Sequence, residues 1–281
     1  MPELPEVETV RRGLEQQTAG LQVARVDVHR ARAIAAPRHD PEAFAAALAG
    51  RHVQHWQRRG KYLIAQLDQG HWGVHLRMTG QFLWLEAERS KQHPPCRHTR
   101  VQIWDPAGRE LRFIDTRSFA EMWWVPPDQP IEAVITGLQR LGPEPFDPDV
   151  NGSYLKRRLK GSVRPIKNAL LDQALLAGVG NIYADESLFA AGIRPTTPSG
   201  RLSTAQLDAL HHALVTVLQQ SIGAGGTTFS DFRDLTGTNG NYGGMAWVYR
   251  RSGQSCRRCG DTIQRTTLGG RGSHWCPSCQ H

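Results

Sequence analysis

The sequence has no long hydrophobic run and few cysteines. No stretch of the chain approaches the roughly 20 consecutive apolar residues that a membrane-spanning helix needs. The segment from Met1 to Gly20 lacks the apolar core of a secretory signal peptide and has the spacing of an amphipathic helix instead. The first of these absences excludes a membrane-spanning apolar helix. Together, the absences lead us to expect a protein of the reducing cytoplasm.

Acidic residues are also in the minority. The 281 residues include 34 Lys and Arg against 26 Asp and Glu, which gives a formal net charge of +8. An excess of positive charge favours a polyanionic partner, although charge alone does not distinguish DNA from RNA or an anionic membrane. The length is typical of two domains.

The first half of the chain has the pattern of a β-sandwich. Short β-type runs over residues 22–125 are separated by turns containing Gly, Pro or Asp, and this repetition predicts a sandwich of short strands. The segment His75–Gly80 is predicted to close a hairpin. The runs are Arg25–Arg30, Tyr62–Leu67, Trp72–Leu76, Gln81–Leu85, Val101–Trp104, Leu111–Ile114 and Glu121–Val125.

The second half becomes helical after a proline-rich passage. Residues 126–148 contain six prolines and one predicted short helix, Ile131–Leu141. From Ser153 to Ile222 apolar residues recur at helical spacing. Ser203 and Gln206 have the spacing of a capping box, and Gly223 is predicted to end the helix that follows them.

Four of the five cysteines form two Cys-x2-Cys pairs separated by sixteen residues: Cys256, Cys259, Cys276 and Cys279. Four thiolates suit tetrahedral Zn²⁺, and the spacing is typical of structural zinc sites. Two disulfides are the alternative, which the absence of a signal peptide disfavours. A four-sulfur site leaves no open coordination position, so the predicted zinc is structural. Cys96 is left over and receives no role.

Arginine is concentrated around this predicted zinc module. Residues 250–281 contain six arginines and one acid, Asp261. Basic residues on a small zinc-bound hairpin indicate a phosphate-binding surface, with a solvated charged loop as the alternative.

The chain begins Met1-Pro2-Glu3. If Met1 is removed, Pro2 presents a secondary amine, and an amine can attack a sugar aldehyde carbon to form a Schiff base. An α-amino group has a pKa of about 8 against about 10.4 for lysine, so it is richer in free base near neutrality. Glu3 is placed to move protons to and from the sugar. A Met-Pro start alone is more often without catalytic meaning.

The stretch Met1-Pro-Glu-Leu-Pro-Glu-Val-Glu-Thr9 resembles the amino-terminal signature of the formamidopyrimidine-DNA glycosylase family, bifunctional enzymes that excise oxidised purines. The resemblance covers nearly the whole chain. Gly178 and Gly180, just ahead of Asn181, resemble the family's helix–two-turn–helix element. The residues beyond, Glu186–Ile193, continue the match.

The resemblance implies a role for each matching residue. Pro2 attacks C1′ as the damaged base leaves, Glu3 assists sugar-ring opening, and Lys61 bonds phosphate beside the target sugar. Successive β- and δ-elimination then cleaves the strand. Three further residues replace the extruded base: Met78 fills its space, Arg117 bonds the widowed cytosine and Phe119 wedges between base pairs. The kinked DNA backbone is held by Lys61 together with His75, Asn181, Tyr242 and Arg271. From sequence alone, Met78 would be a core residue, while a core strand position for Phe119 and an ordinary exposed lysine at position 61 are open alternatives.

The expected fold class is a multidomain α+β protein. It comprises an N-terminal helix with an antiparallel β-sandwich, then a helix–two-turn–helix domain with a C-terminal four-cysteine zinc-finger hairpin. We predict the catalytic helix and sandwich over residues 1–130 and a linker over 131–150. The DNA-binding helical domain with the lesion-recognition loop covers 151–240, and the zinc finger covers 241–281. Residues 225–242 are polar and glycine-rich, and the resemblance implies that they cover the extruded purine with backbone amides.

The expected partner is double-stranded DNA containing oxidised bases, bound by a monomer with one structural Zn²⁺ and no organic cofactor. The expected location is the bacterial-type cytoplasm, at the nucleoid. Two alternatives stay open. One is the endonuclease VIII-like sister branch, which prefers oxidised pyrimidines but has glycine where this chain has Leu4. The other is a non-catalytic zinc-ribbon nucleic-acid-binding protein.

The chain departs from the family pattern at five positions, one of which is Gly270, where glutamine more often precedes the arginine. Ser118 and Ala120 stand where a basic residue and a glycine are expected, Arg250 where glycine is usual, and His274 where an aromatic residue is usual. These departures concern local packing and loop dynamics.

Overall fold

The computed structural model describes residues 1–228 and 232–281. They form two compact units, the first comprising Met1–Gln139 with Gly225–Asn241 and the second Arg140–Ala224 with Tyr242–His281. The segment 225–241 thus packs with the β-rich unit, whereas the predicted functional division groups it with the helical domain. That functional division stays a prediction.

The first unit contains helices and two β-sheets. Its elements are α1 (Leu4–Thr18), β1 (Arg25–Val28), β2 (Ile34–Ala36), α2 (Pro41–Leu48), β3 (Val53–Arg59), β4 (Tyr62–Leu67), β5 (His71–His75), β6 (Gly80–Leu85), α3 (Ala87–Gln92), β7 (Thr99–Trp104), β8 (Glu110–Asp115), β9 (Glu121–Val125) and α4 (Ile131–Val134). The predicted helix Ile131–Leu141 is thus split into α4 and a 3₁₀ helix, Thr136–Arg140.

The sheets confirm the predicted sandwich architecture. One has the strand order β1-β7-β8-β6 and the other β2-β9-β5-β4-β3. All neighbouring strands within them are antiparallel except β2 and β9, which are parallel. The predicted hairpin over His75–Gly80 is wrong, because β5 and β6 belong to different sheets. Residues 76–79 instead carry the chain from one sheet to the other.

An aromatic cluster joins the two sheets at the centre of this unit. Trp56 and Trp72 of one sheet lie 5.1 Å apart between ring centroids. Trp72 lies 5.9 Å from Phe82 of the other sheet, and Phe82 lies 4.9 Å from Phe113. All four side chains are buried. Burial of apolar surface on this scale holds the sheets face to face.

Helix α1 packs against β3 and has Glu3 as its N-cap residue. The predicted apolar side of the helix is confirmed, since Val7, Val10 and Leu14 are all at most 1% exposed. At the other end of α1, Thr18 Oγ1 accepts a hydrogen bond of 2.8 Å from the indole N–H of Trp56. The helix therefore fixes the position of the residues that precede it.

The second unit contains the helical part and the cysteine-bearing hairpin. Its elements are α5 (Gly152–Leu159), α6 (Ile166–Leu170), α7 (Asn181–Ala190), α8 (Thr204–Gly223), α9 (Tyr242–Met245), β10 (Gln264–Leu268) and β11 (Arg271–Trp275). The predicted capping box of Ser203 and Gln206 is confirmed, as is the end of α8 at Gly223. Within the two described ranges, no helix is both long and apolar enough to cross a membrane.

We expect Leu14→Ala to lower the free energy of unfolding of the first unit by about 2–5 kcal/mol, because it leaves a cavity between α1 and the sandwich. Urea unfolding followed by tryptophan fluorescence measures the change. The exposed neighbour Gln16 provides the control, since Gln16→Ala should change stability by about 0.5 kcal/mol or less. Equal effects of the two substitutions would contradict this packing of α1.

Candidate active site

The first turn of α1 holds the predicted nucleophile and acid in place. Glu3 is the N-cap residue, and its side chain accepts a hydrogen bond from the backbone N–H of Glu6. In return, Glu6 Oε2 accepts from the backbone N–H of Glu3 at 2.8 Å. Pro2 is buried directly beside this pair, and Glu3 is only 2% exposed. The reciprocal bonds form a capping box that fixes the chain from Pro2 onward.

Glu6 also connects this turn to the predicted lesion-recognition loop. Its other oxygen, Oε1, accepts a hydrogen bond of 2.8 Å from the backbone N–H of Thr227. Thr228 Oγ1 donates to the carbonyl of Phe232 and accepts from the N–H of Gly240, which ties the two ends of the loop together. Residues 229–231 of the predicted loop lie outside the described residues.

Lys61 and His75 lie at neighbouring strand ends. The register pairs Tyr62 of β4 with His75 of β5, so Lys61 lies next to His75. Lys61 is only 8% exposed, in contrast to the ordinary exposed lysine that the sequence alone left open as an alternative. Burial, aided by the positive charges of Arg77 and Lys61, lowers the pKa of His75 to about 3. His75 is therefore neutral, and its Nδ1 accepts a hydrogen bond of 3.0 Å from the N–H of Arg77.

Two adjacent loops expose the residues predicted to replace an extruded base. Gly80 of β6 pairs with Asp115 of β8, which places the Met78 turn beside the loop after β8. Met78 is 37% exposed and Phe119 is 43% exposed, so neither occupies the core position that the sequence alone favoured for Met78 and left open for Phe119. The guanidinium of Arg117 lies 4.8 Å from the centroid of the Phe119 ring. The structure thus brings Met78, Arg117 and Phe119 together at one surface.

In the second unit, Asn181 lies against the tip of the cysteine-bearing hairpin. As predicted, Asn181 opens a helix, α7, directly after Gly180. Its Nδ2 donates a hydrogen bond of 3.0 Å to the carbonyl of Gly272. Lys167 Nζ donates to the same carbonyl at 2.7 Å. Because Arg271 immediately precedes Gly272 and is exposed, these bonds fix the predicted phosphate-binding arginine relative to Asn181.

Two buried acids of α7 anchor this hairpin and were not singled out from the sequence. Asp185 forms an ion pair of 2.7 Å with Lys167 and accepts from the backbone N–H of His274 at 2.9 Å. Its contact with His274 Nδ1 is 3.0 Å long. His274, which stands where the family usually has an aromatic residue, therefore contacts Asp185 through its side chain. The signal available in the sequence was an acid pair, Asp185-Glu186, within an otherwise apolar helix.

Glu186, the second acid, holds the chain that leads into the cysteine-bearing module. Its two carboxylate oxygens accept from the backbone N–H groups of three successive residues, Trp247, Val248 and Tyr249, at 2.7, 2.9 and 2.8 Å. Burial raises the pKa of Glu186, although these three N–H groups favour the charged form. The next residue, Arg250, has φ of 57°, a left-handed conformation that explains why glycine is usual at this family position.

Tyr242 differs from the other predicted DNA-contacting residues because it is buried. It is 2% exposed, and its ring centroid lies 5.9 Å from that of Tyr183. Burial also raises the pKa of its phenol. The structure therefore gives Tyr242 a packing role in the second unit, and its contact with DNA stays a prediction.

The four predicted zinc ligands form one compact cluster. The Sγ atoms of Cys256, Cys259, Cys276 and Cys279 all lie within 4.8 Å of one another. Tetrahedral zinc with Zn–S bonds of about 2.3 Å places its sulfurs about 3.8 Å apart, so the cluster fits the ion. Without a cation, burial and the neighbouring thiols raise the pKa of Cys279 to about 12. A bound divalent cation removes this obstacle to ionisation.

Three family models cover most of the sequence. Residues 1–122 match the formamidopyrimidine-DNA glycosylase N-terminal domain and residues 141–233 match the H2TH domain of the same glycosylase. Residues 253–281 match a zinc finger found in FPG and IleRS. The chain belongs to the formamidopyrimidine-DNA glycosylase family. It is a DNA glycosylase for oxidised purines in base excision repair, and lyase activity is typical of this family.

Known relatives of this family match over the full length. Formamidopyrimidine-DNA glycosylase of Parasynechococcus marenigrum is 63% identical, with 100% of each chain covered. Lactococcus lactis Fpg in complex with a Fapy-dG-containing DNA matches at a TM-score of 0.88 and 33% identity, over 99% of this chain and 100% of that one. A second Lactococcus lactis complex, with oxidised-pyrimidine-containing DNA, matches at a TM-score of 0.89, 33% identity and 100% coverage of both chains.

We expect Cys259→Ser to abolish stoichiometric zinc binding and weaken duplex binding at least about tenfold, because the hairpin that carries Arg271 loses its metal-dependent fold. Metal content by mass spectrometry and duplex affinity at fixed salt measure both effects. Cys96→Ser, outside the cluster, should retain one zinc per chain. Wild-type affinity in a zinc-free Cys259→Ser protein would contradict a structural role for the metal.

His75 should make stability depend on pH. Native His75 stays neutral down to about pH 3. In the unfolded chain it takes up a proton below about pH 6.5. Between about pH 6.5 and pH 3 the unfolded state thus binds more protons than the native state. The stability that neutral His75 contributes above about pH 6.5 is therefore lost as the pH falls through this range.

Between pH 6.5 and 4.5, wild type should therefore lose about 2 kcal/mol more stability than His75→Asn, which keeps an acceptor but does not titrate. Urea unfolding at both pH values measures this difference. His93→Asn, at an exposed position, is the control and should follow the wild-type profile. Parallel profiles for wild type and His75→Asn would contradict the lowered pKa.

Proposed function

We propose that the amine of Pro2, exposed by removal of Met1, attacks C1′ of a nucleotide carrying an oxidised purine as the bond from C1′ to the damaged base breaks and the base leaves. Glu3 transfers protons during opening of the sugar ring. The resulting iminium acidifies the neighbouring sugar proton, and β- and δ-elimination then cleaves the strand. The observation that carries this proposal is the Glu3–Glu6 capping box, which fixes the start of the chain.

The position of Glu6 supports a link between chemistry and base recognition. One carboxylate contacts both the N–H of Glu3 and the N–H of Thr227. A base covered by the loop after Thr227 would therefore be held close to the proposed nucleophile. This arrangement supports reading of the extruded purine by backbone amides of that loop.

Base extrusion costs a few kcal/mol in lost stacking and pairing. We assign its compensation to the cluster formed by Met78, Arg117 and Phe119, whose exposed side chains lie on adjacent loops. Phe119 wedges between base pairs, Arg117 bonds the unpaired cytosine, and Met78 fills the space left by the base. This assignment agrees with the use of apolar side chains to kink DNA.

Phosphate binding is assigned to residues of both units. In the first unit, Lys61 bonds the phosphate next to the reacting sugar, and His75 binds the DNA backbone as a neutral side chain. In the second unit, the bonds of Asn181 and Lys167 to Gly272 support joint contact of Asn181 and Arg271 with the backbone. Tyr242 is placed in this set by resemblance to the family.

The duplex is proposed to be bound by a monomer without an organic cofactor, acting on chromosomal DNA in the cytoplasm, at the nucleoid. We also propose that the functional domains have the boundaries predicted from the sequence, namely residues 1–130, 131–150, 151–240 and 241–281. The experiment below includes a duplex with an oxidised pyrimidine as well, since one Lactococcus lactis Fpg complex contains oxidised-pyrimidine DNA.

We expect Pro2→Gly to lower base release and strand cleavage at least about tenfold, because its primary amine is more flexible and its imine becomes a charged iminium only on protonation. Rates are measured on one duplex with 8-oxoguanine opposite cytosine and one with an oxidised pyrimidine, and wild type should prefer the first. Pro41→Gly, at the start of α2, is the matched control and should keep wild-type rates.

Unchanged rates for Pro2→Gly would exclude Pro2 as the nucleophile. Preference of the wild type for the pyrimidine duplex would move the chain to the sister branch. Tight duplex binding by the wild type without cleavage of either substrate would contradict the proposed mechanism.

A further inference from the structure

Asp115, the last residue of β8, has a buried carboxylate that the mechanism above does not use. It is 1% exposed. Oδ2 accepts hydrogen bonds from the backbone N–H groups of Phe119 and Ala120, both at 2.8 Å. Oδ1 accepts from the hydroxyl of Thr79 at 2.5 Å and from the N–H of Arg117 at 3.2 Å. One carboxylate thus receives four donors.

These donors belong to the two loops that carry the exposed cluster. Thr79 directly follows Met78, whereas the other three donors lie in the loop containing Arg117 and Phe119. The hydroxyl of Thr79 also accepts from the N–H of Arg117 at 3.1 Å, so the two loops are bonded to each other as well as to Asp115. The carboxylate is therefore the shared attachment point of Met78, Arg117 and Phe119.

Both loops contain a residue in an unfavourable backbone conformation. Arg77 has φ of 52° and Ser118 has φ of 54°, in the left-handed region that non-glycine residues rarely adopt. In the Phe119 loop, the bonds to Asp115 lie on both sides of Ser118. A side chain that accepts backbone hydrogen bonds on both sides of Ser118 suits a loop that must hold such a conformation.

We propose that Asp115 is a positioning residue that fixes the Phe119 wedge and couples it to the Met78 turn before DNA binds. This inference rests on the proposed function of the cluster. A preorganised wedge avoids the cost of ordering two loops at the moment of base extrusion. Asp115 thus acts on the substrate only through the residues that it holds. Its substitution should therefore lower activity on a duplex, where an extruded base must be replaced, more than activity on a single strand.

We test the inference with Asp115→Asn, which keeps the side-chain volume but turns one acceptor into a donor facing backbone N–H groups. We expect kcat/KM for excision of 8-oxoguanine from duplex DNA to fall about tenfold or more, since at least one of the buried groups that donate to the Asp115 carboxylate loses its acceptor. Lyase cleavage of a single-stranded oligonucleotide with an abasic site, which has no opposite base to hold, should stay within about twofold.

Asp105→Asn is the matched control. Asp105 is likewise buried, at the end of β7, and its carboxylate accepts from the backbone N–H and the Nε–H of Arg109. It contacts neither loop of the cluster in these bonds. The ratio of duplex to single-strand activity should therefore stay at the wild-type value in Asp105→Asn. An equal fall of both activities in Asp115→Asn would show a general structural role and overturn the inference.

A double-mutant cycle separates this inference from the proposed function. Phe119→Ala alone should lower duplex excision, and if it does not, the proposed wedge itself fails. If it does, adding Asp115→Asn should lower duplex excision by less than about threefold, because the wedge is already gone and only Met78 and Arg117 remain to be positioned. Full additivity of the two substitutions would overturn the positioning role while leaving the wedge intact.

Thr79→Val provides a second route if Asp115→Asn does not fold. It removes only the hydroxyl that joins the Met78 turn to Asp115 and to Arg117. Duplex excision should fall while single-strand cleavage is retained. Wild-type rates on both substrates would overturn the coupling of the two loops through this carboxylate.

Discussion

The reciprocal hydrogen bonds between Glu3 and Glu6 are the constraint on which the proposed chemistry depends. A chain terminus is normally the most mobile part of a protein, and a nucleophile placed there needs to be held. The capping box fixes Pro2 by means of an α-helix, and the helix is fixed in turn by the burial of its apolar side against the sandwich. The second oxygen of Glu6 extends the same constraint to Thr227.

Buried carboxylates repeat this design elsewhere in the chain. Asp115 receives donors from two loops in the first unit, while Asp185 and Glu186 hold the cysteine-bearing module in the second. A buried polar group is costly unless hydrogen bonds satisfy it, so each of these acids needs its full set of donors. Among these donors are backbone N–H groups. For Asp115 they lie in the loop that carries Phe119, for Asp185 in the hairpin that carries Arg271, and for Glu186 in the chain that leads into the cysteine-bearing module. Rigid anchoring of exposed residues is the common result.

The sequence predicts the parts of this molecule whose signals are local. Capping residues and apolar spacing indicated α1 and α8, and cysteine spacing indicated the zinc site. Strand β3 was missed because its residues Val53–Arg59 include several polar side chains, and the His75–Gly80 hairpin was wrong because local patterns do not show which sheet a strand joins. The exposure of Met78 and Phe119 followed from family resemblance alone. The role of Asp115 depends on bonds between distant loops, which no spacing reveals.

The most direct test of a terminal nucleophile is borohydride trapping of the covalent intermediate on a duplex with 8-oxoguanine opposite cytosine. Peptide mass spectrometry then locates the crosslink. We predict a crosslink on Pro2, with Met1 absent, because borohydride reduces a Schiff base to a stable amine and the proposed Schiff base is on Pro2. A crosslink on a lysine, or none despite tight binding by the zinc-loaded protein, would contradict it.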